Sequence, residues 1–484
     1  MEKTYVHSSL DFLKVLEKYT LKSKLLTCQA YSSGIMSCSR VELRADSIMP
    51  WEIEAFATYS LVYDNDDATE ELDDKSFLEI ITSLRNYRHD GLVTAEERGK
   101  YSEAFIMISA QQQFSVQGVF LQKLYRYHYF FSFQNDKLDM QKVFFDKMGV
   151  NYEQLEEFAF LVFEVFSKEV RDKLPESEIR RIKDVAFSDE NVVKLLSVNK
   201  EEYKKKLLSL YTNDVDQYYG LKILHLYPII SEKNFTYLPL PYLVVNAVTD
   251  SMLNRITEND DKLRRAIGKE VIESYLFDIV NQLNTVTWIS PEIKYKKGRN
   301  ELLTSDVIAA EGDKVIFYDA KSIVPSLRLR KFDEAEIEKD IAIYADGIVQ
   351  VYKQICNYLQ GLFKLDKFYS KEDIFGIVVV LEDANVSRRE VYKKACETLE
   401  KTIILTTEEK DFICSHIKVC SLRSIEYMAL QNTSLMPGLL QQLNEPENWY
   451  NQSYTNATTA NGAIPSYGQY VRDIKNRIIN RVNL

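Results

Sequence analysis

Two acids and a lysine lie close together in the chain, at the ends of two short apolar segments. Asp306 precedes the first segment, and Asp319 and Lys321 end the second. Carboxylates that are brought close together repel each other unless a cation lies between them. Oxygen ligands of this kind suit a hard divalent ion such as Mg²⁺, and a lysine beside the ion orients a water or neutralises charge on a phosphate. These residue types therefore indicate metal-assisted hydrolysis of a phosphodiester.

A β-hairpin is predicted to position these three residues. Val307–Ala309 is a short apolar run typical of a buried strand, and Val315–Tyr318 is a second run with β-branched and aromatic residues. Between them, Gly312 lies in a turn sequence and supplies the positive φ that a tight hairpin needs. Asp319 and Lys321 are two residues apart, so in an extended chain they point to the same face.

A carboxylate two residues before a lysine is by itself a weak signal, because several such triplets occur in this chain. Glu292-Ile293-Lys294 is the main competitor, since it lies in a strand-like run after Pro291. We rank it below the Asp306 hairpin, because the sequence before it supplies no partner acid on a neighbouring strand.

An amphipathic helix is predicted before the hairpin. It runs from Ala266 to about Leu283, and Glu270 and Glu273 share one of its faces. The two acids are therefore open alternatives on this face of the helix.

A second helix and a further strand are predicted after the hairpin. The helix covers Ile341–Phe363 and carries Gln354 and Tyr358 four residues apart on one side. A buried strand at 375–381 and a basic helix at 387–401, capped by Ser387, follow it. The predicted order is therefore helix, three strands, helix and strand.

This order, with two acids and a lysine at the sheet, resembles the PD-(D/E)xK nuclease superfamily, also called restriction-endonuclease-like. Gln354-Ile355-Cys356-Asn357-Tyr358 is similar to the Gln-x-x-x-Tyr element of the RecB-like branch. The resemblance covers roughly residues 263–431, and Ser305 stands where the family often has a proline before its first acid. The resemblance implies an αβββαβ nuclease domain.

The resemblance also implies roles for the matching residues. Lys321 would position the water or stabilise negative charge, and Gln354 would brace the site from the following helix. Tyr358 would contact Lys321 or a nucleic-acid phosphate. The implied ligands of Mg²⁺, for which Mn²⁺ substitutes, are Asp306, Asp319, the backbone carbonyl of Ala320, and Glu273.

Basic residues near the site are candidates for a nucleic-acid groove. They lie in the loop after the second strand and on the last helix: Arg328, Arg330, Lys331, Arg388, Arg389, Lys393 and Lys394. Each of them is also consistent with an ordinary solvated surface. The formal net charge of −11 argues against a large non-specific DNA-binding surface, but not against a local groove.

The composition is that of a soluble protein of two or three domains. The chain has 484 residues with 45% apolar and 27% charged residues. Its six cysteines lack zinc spacing and indicate reduced thiols, and five scattered histidines argue against a histidine-based metal site. No apolar run has the length of a membrane helix, and the first residues are typical of an amphipathic helix rather than a signal peptide. We expect a cytoplasmic protein without a membrane partner.

We expect a mainly helical N-terminal half followed by a restriction-endonuclease-like α/β domain. Residues 1–246 would serve recognition, regulation or self-association, through a homo-oligomer or a partner protein. Residues 247–435 would form the nuclease domain, and residues 436–484 a polar linker and a basic helix.

The expected activity is Mg²⁺-dependent endonucleolytic cleavage of DNA that leaves a 5′-phosphate. A helical half joined to such a domain resembles bacterial restriction or phage-defence effectors. Two alternatives remain open. One is a catalytically silent subunit for nucleic-acid binding or assembly, and the other is a structure-specific RNA nuclease.

Overall fold

A computed structural model of the chain shows a mixed α/β protein, with helices dominating the N-terminal half and a mixed sheet following them. The residues that the structure describes are 11–36, 48–86, 120–167, 172–211, 223–233, 235–322, 334–384, 386–430 and 465–482. The chain forms two compact units. The first contains residues 1–132, 140–256 and 472–484, and the second contains 133–139 and 257–471. None of the helices in these described ranges is long and apolar enough to cross a membrane.

The first unit is mainly helical and contains a buried helix, Pro50–Val62. This helix is buried on almost every side and packs against Leu21–Met36, Asp74–Asn86 and Lys200–Leu210. The other helices before residue 258 in the described ranges are Asp11–Leu16, Phe120–Ser132, Met140–Met148, Tyr152–Phe166, Glu176–Ala186, Glu190–Leu195, Val244–Val248 and Asp250–Thr257. A small sheet joins them, in the order β1 (Ser197–Asn199), β2 (Ile229–Glu232), β3 (Phe235–Tyr237).

The helix Pro465–Val482 contains the basic residues that the sequence places near the C-terminus. Arg477 Nη2 lies 3.0 Å from Oε2 of Glu156, a fully buried acid, and Arg481 Nη1 lies 2.5 Å from Oε2 of Glu157. These arginines are thus paired with carboxylates of the helix Tyr152–Phe166 within the same unit.

The second unit is built on a mixed sheet of five described strands. Its spatial order is β10 (Ile417–Ser421), β9 (Ile374–Val380), β8 (Lys314–Lys321), β7 (Val307–Glu311) and β4 (Val286–Pro291). A separate ribbon of β5 (Lys294–Lys297) and β6 (Asn300–Leu303) lies between β4 and β7 in the chain. The helices described here are Asp261–Ala266, Glu273–Asn281, Glu334–Leu359, Arg388–Glu400, Thr407–His416 and Leu422–Leu430, with a π-helical segment at Ile267–Ile272.

The register of β7 and β8 brings the two aspartates opposite each other. The strands are antiparallel and join through a two-residue turn, in which Gly312 has a φ of 64°. Val307 is opposite Tyr318, so the next pair in the same register is Asp306 and Asp319. Side chains that are directly opposite in an antiparallel pair lie on one face of the sheet. The turn sequence and the apolar strands therefore set this pairing.

The helix Glu334–Leu359, called the long helix below, packs closely against β8 and β9. Its residues Ile348, Val351 and Ile355 are fully buried. Gly376 on β9 makes a close approach possible, because a Cβ at this position would lie 2.2 Å from Cγ1 of Val351. This close contact determines which residues of the long helix reach the end of β8.

Candidate active site

A hydrogen bond from the backbone to a side chain joins Asp306 to the residue that follows Asp319. The backbone N–H of Ala320, the residue after Asp319, donates to Oδ2 of Asp306 over 2.7 Å. Asp306 lies just before β7, where the extended strand begins, and Asp319 is near the end of β8. The carboxylate of Asp306 is therefore held in place by the neighbouring strand.

Asp319 and Lys321 lie on the same face of β8. Lys321 Nζ is 2.7 Å from Oδ2 of Asp319, and Asp319 is only 5% exposed. Oδ2 nevertheless accepts no hydrogen bond of normal geometry, so the contact is an ion pair without the angle of a hydrogen bond. The ammonium of Lys321 therefore offsets part of the cost of burying this carboxylate.

The electrostatics of the three acids are strongly perturbed. Burial raises the pKa of Asp306 to about 8, and the negative charges of Asp319 and Glu273 add to this, while the N–H of Ala320 opposes it. Burial also raises the pKa of Asp319, and Lys321 opposes the rise. Burial raises the pKa of Glu273 to about 7, with repulsion from Glu292 and Asp319 adding to the effect. Burial therefore disfavours the charged form of all three acids, and a bound cation would favour it.

Lys269 is a second cation at this cluster. Its Nζ lies 3.0 Å from Oε2 of Glu273 and 2.9 Å from Oε2 of Glu292. Burial opposes the charged form, but the hydrogen bonds to Glu292 and Glu273 prevail, so the pKa of Lys269 is raised. Lys269 thus neutralises two carboxylates that would otherwise repel each other.

The π-helical segment Ile267–Ile272 positions Lys269 and Glu273. Gly268 lies in this segment, where a Cβ would come within 3.1 Å of Oγ of Ser322, the residue after Lys321. The absence of a side chain at Gly268 therefore lets the helix approach the end of β8. Glu270, the alternative candidate for the helix acid, pairs with Lys137 over 2.8 Å, and this contact lowers its pKa. Glu273 is the acid of this helix that affects the pKa of Asp306.

The long helix contacts the site through two glutamines. Gln350 Oε1 accepts a hydrogen bond of 2.5 Å from Nζ of Lys321. Gln354, which we predicted to brace the site, lies one turn later and accepts a hydrogen bond from Oγ of Ser305, the residue before Asp306. Lys321 is therefore held between Asp319 and Gln350.

Tyr358 has a different environment from the one that the resemblance implies. It is 6% exposed. Its hydroxyl donates to the carbonyl of Lys367 over 3.3 Å and accepts from the backbone N–H of Tyr369 over 2.9 Å. The structure thus places this hydroxyl in contact with a neighbouring loop of its own unit.

The basic groove candidates fall into two groups. Arg328, Arg330 and Lys331 lie outside the described residues. Arg388 forms an ion pair with Asp383 and lies 5.4 Å from the ring centroid of Tyr344, while Arg389 is exposed to solvent. On the same helix, Lys393 pairs with Glu390 over 3.3 Å, and Lys394 is half-buried.

The donor chemistry suits a hard divalent cation. No three His, Cys, Asp or Glu side chains in the described part of the chain are grouped tightly enough to form a metal site by themselves. Mg²⁺, however, usually binds through one or two carboxylates and retains several waters. Asp306 and Asp319 provide such a pair, and the buried Oδ2 of Asp319 accepts no hydrogen bond of normal geometry, although Nζ of Lys321 lies 2.7 Å from it. The residues present therefore fit Mg²⁺ or Mn²⁺.

Two residues of the cluster were not singled out from the sequence: Lys269 and Gln350. Glu292 was present only in the lower-ranked triplet. In the structure Pro291 pairs with Val307, so Glu292 and Asp306 are next in register, and only this pairing of β4 with β7 brings Glu292 to the site. Lys269 and Gln350 lie four residues before Glu273 and Gln354, respectively, at the spacing of one helical turn.

The site combines buried acids, two lysines and a glutamine at the end of neighbouring strands. Such a group can bind a cation and a phosphate, and can orient a water molecule. Comparisons of the chain with protein-family models, with curated proteins and with solved structures found no match.

Proposed function

We propose that this protein is a metal-dependent nuclease that hydrolyses phosphodiester bonds of DNA. The observation that supports this function best is the arrangement of Asp306, Asp319 and Lys321. The two carboxylates are opposed across antiparallel strands, and the ammonium lies 2.7 Å from one of them. Burial makes this charge pattern costly to the fold, so a catalytic purpose explains it better than a structural one does.

The proposed cation would be held by Asp306, Asp319 and the carbonyl of Ala320, with Glu273 nearby. Bound there, Mg²⁺ would supply Lewis-acid stabilisation of the phosphate and a lowered pKa for water. The protein's own contribution is orientation. Ala320 N–H fixes the carboxylate of Asp306, and Gln354 holds Ser305 at the start of the same strand.

In this proposal Lys321 acts on the phosphate or on the attacking water. Its Nζ is held by the carboxylate of Asp319 and by Oε1 of Gln350. The side chain is one-fifth exposed, so its ammonium remains accessible to a substrate. A positioned ammonium stabilises negative charge that develops on phosphate oxygens.

The test uses purified full-length protein with plasmid DNA, single-stranded DNA and RNA, each with Mg²⁺, with Mn²⁺ or with EDTA. We expect divalent-dependent DNA cleavage that Asp319→Asn and Lys321→Met each reduce by about 10²-fold or more. The matched controls are Asp411→Asn and Lys401→Met, at exposed positions of the same unit. Cleavage by the site variants at the wild-type rate would show that the site is elsewhere.

The same assay separates the alternatives. Cleavage of RNA without cleavage of DNA would indicate an RNA nuclease. Binding without cleavage of any substrate would indicate a silent nucleic-acid-binding or assembly subunit. We also propose a role in bacterial restriction or phage defence, which has only the resemblance as support.

A further inference from the structure

A basic ribbon emerges beside the acid cluster. Strands β5 and β6 pair in the register Lys294 with Leu303 and Lys297 with Asn300, and the two-residue turn contains Gly298 with a φ of 64°. At its base, Thr304 N–H donates to the carbonyl of Ile293 over 3.0 Å, and Ile293 N–H donates to Oγ1 of Thr304 over 2.9 Å. These contacts define the basic ribbon, residues 293–304, as a closed hairpin.

The charge of the basic ribbon is opposite to that of the whole chain. It contains four basic side chains, Lys294, Lys296, Lys297 and Arg299, and one acid, Glu301. All four are exposed, and Lys294 is 74% exposed with its Nζ 3.4 Å from Glu301. The chain as a whole has 61 basic and 72 acidic residues. Local positive charge in an acidic protein is suited to a polyanionic partner.

The basic ribbon is anchored to the long helix. Lys297 Nζ donates to Oδ1 of Asn357 over 2.8 Å, and Nδ2 of Asn357 donates to the hydroxyl of Tyr295 over 2.8 Å. Tyr295 is buried, and its ring centroid lies 4.9 Å from that of Phe363. The basic side chains are thus presented on a rigid support, which lowers the entropic cost of binding.

The base of the basic ribbon is directly connected to the candidate site. Glu292 precedes Ile293, and Ser305 and Asp306 follow Thr304. A strand rises about 3.3 Å per residue, so the turn lies about 23–26 Å along the chain from Asp306. A DNA duplex carries one phosphate charge per about 1.7 Å of its axis, so this length spans several phosphates.

We propose that the basic ribbon binds the sugar–phosphate backbone of a nucleic acid and so directs the strand to the acid cluster. This inference rests on the proposed function and names the surface that holds the substrate. The contacts are to phosphates, so they position the substrate without reading its sequence. The expected ligand is a nucleic acid of any sequence, and the chemistry of the contact is shared by DNA and RNA.

The test measures binding without cleavage. Fluorescence anisotropy of a labelled DNA duplex, a labelled single strand and a labelled RNA is recorded in EDTA with the full chain. The variant combines Lys294→Gln, Lys296→Gln and Arg299→Gln, and leaves Lys297 in contact with Asn357. A matched control removes three exposed lysines of the first unit, with Lys18→Gln, Lys22→Gln and Lys75→Gln.

We expect the ribbon variant to bind at least about tenfold more weakly, and the slope of log affinity against log salt to fall by about 2–3. The control should keep the wild-type slope. A second variant with Lys294→Arg, Lys296→Arg and Arg299→Lys retains the charge, and it should bind as the wild type does. Thermal unfolding of all variants separates lost binding from lost folding.

Two outcomes would overturn the inference. One is an unchanged affinity and salt slope in the ribbon variant, and the other is equal competition by polyglutamate and by DNA. The experiment also distinguishes failure of this binding surface from failure of the proposed nuclease function. If the ribbon variant loses binding while wild-type protein with Mg²⁺ cleaves nothing, the surface is correct and the nuclease assignment is wrong. If cleavage is present but the ribbon variant binds normally, only the surface is wrong.

Discussion

The backbone N–H of Ala320 donates a 2.7 Å hydrogen bond to Oδ2 of Asp306, so strand β8, which carries Asp319, also holds the carboxylate of Asp306. Asp319 precedes Ala320 directly, and the pKa of Asp306 is raised first by burial and then by the negative charge of Asp319. Attraction through the main chain and repulsion between the side chains therefore act on the same carboxylate. The ionisation of Asp306 should therefore affect the stability of the folded protein.

Replacing Asp306 by Asn should make stability depend less on pH. The pKa of Asp306 is about 8 in the folded protein and about 3.9 in the unfolded chain. Between these two pH values, the folded protein therefore binds a proton that the unfolded chain has lost. The contribution of Asp306 to the free energy of unfolding is fully present below about pH 4 and is lost as the pH rises through about 8. In EDTA, we expect Asp306→Asn to be more stable than wild type by about 1–3 kcal/mol near pH 9.

Urea unfolding from about pH 5 to about pH 9 measures this difference. Asp411→Asn, at an exposed position, is the control and should follow the wild-type curve. Parallel curves for wild type and Asp306→Asn would show that Asp306 ionises normally in the folded protein.

Lys269 should act as an internal counter-ion of the acid cluster. Lys269→Met leaves Glu273 and Glu292 without their shared ammonium. Because Lys269 is about half exposed, we expect a loss of only about 1 kcal/mol in EDTA. Added Mn²⁺ should raise the melting temperature of this variant more than that of wild type, since the cation replaces the missing charge.

Lys262→Met, at an exposed position on the preceding helix, is the control for Lys269→Met. Isothermal titration with Mn²⁺ gives the affinity directly. Equal Mn²⁺ affinity and an equal thermal shift in wild type and Lys269→Met would argue against an electrostatic role for Lys269.

Gln350 should affect the chemical step rather than cation binding. Gln350→Leu removes the acceptor that holds Lys321 Nζ, so we expect a fall of about tenfold in single-turnover cleavage. The Mn²⁺ affinity should remain that of wild type, because the carboxylates are untouched. Gln360→Leu, at an exposed position just after the long helix, is the control. A loss of Mn²⁺ binding in Gln350→Leu would place Gln350 among the groups that support the acids.

Gly376 should be needed for the close packing of the long helix on β9. A Cβ at this position would lie 2.2 Å from Cγ1 of Val351, so Gly376→Ala should lower the free energy of unfolding by about 1–3 kcal/mol. Combining it with Val351→Ala makes room for the added methyl group. We therefore expect the double variant to lose less than the sum of the two single changes, as measured by a double-mutant cycle in urea. Simple additivity would mean that the two residues are not in contact.

Local sequence patterns determined the strands, the turn and the shared face of Asp319 and Lys321. These features depend on neighbours in the chain: strand alternation sets the face, and a glycine with positive φ sets the turn. The apolar runs also predicted a helix before the hairpin and a helix and a strand after it, but not the ribbon of β5 and β6 or the strand β10. The specific nuclease fold stays a prediction.

The tertiary structure alone decided which turn of each helix meets the strand ends. Gln350 rather than Gln354 reaches Lys321, because the glycine contact with β9 sets the position of the long helix. Glu270 and Glu273 share a face by spacing, and only the contact with Lys137 separates their roles. Helical periodicity gives the face of the helix on which a side chain lies, but not the position of that side chain along the neighbouring strand. That position depends on packing between elements that are distant in the chain, and no local sequence pattern contains it.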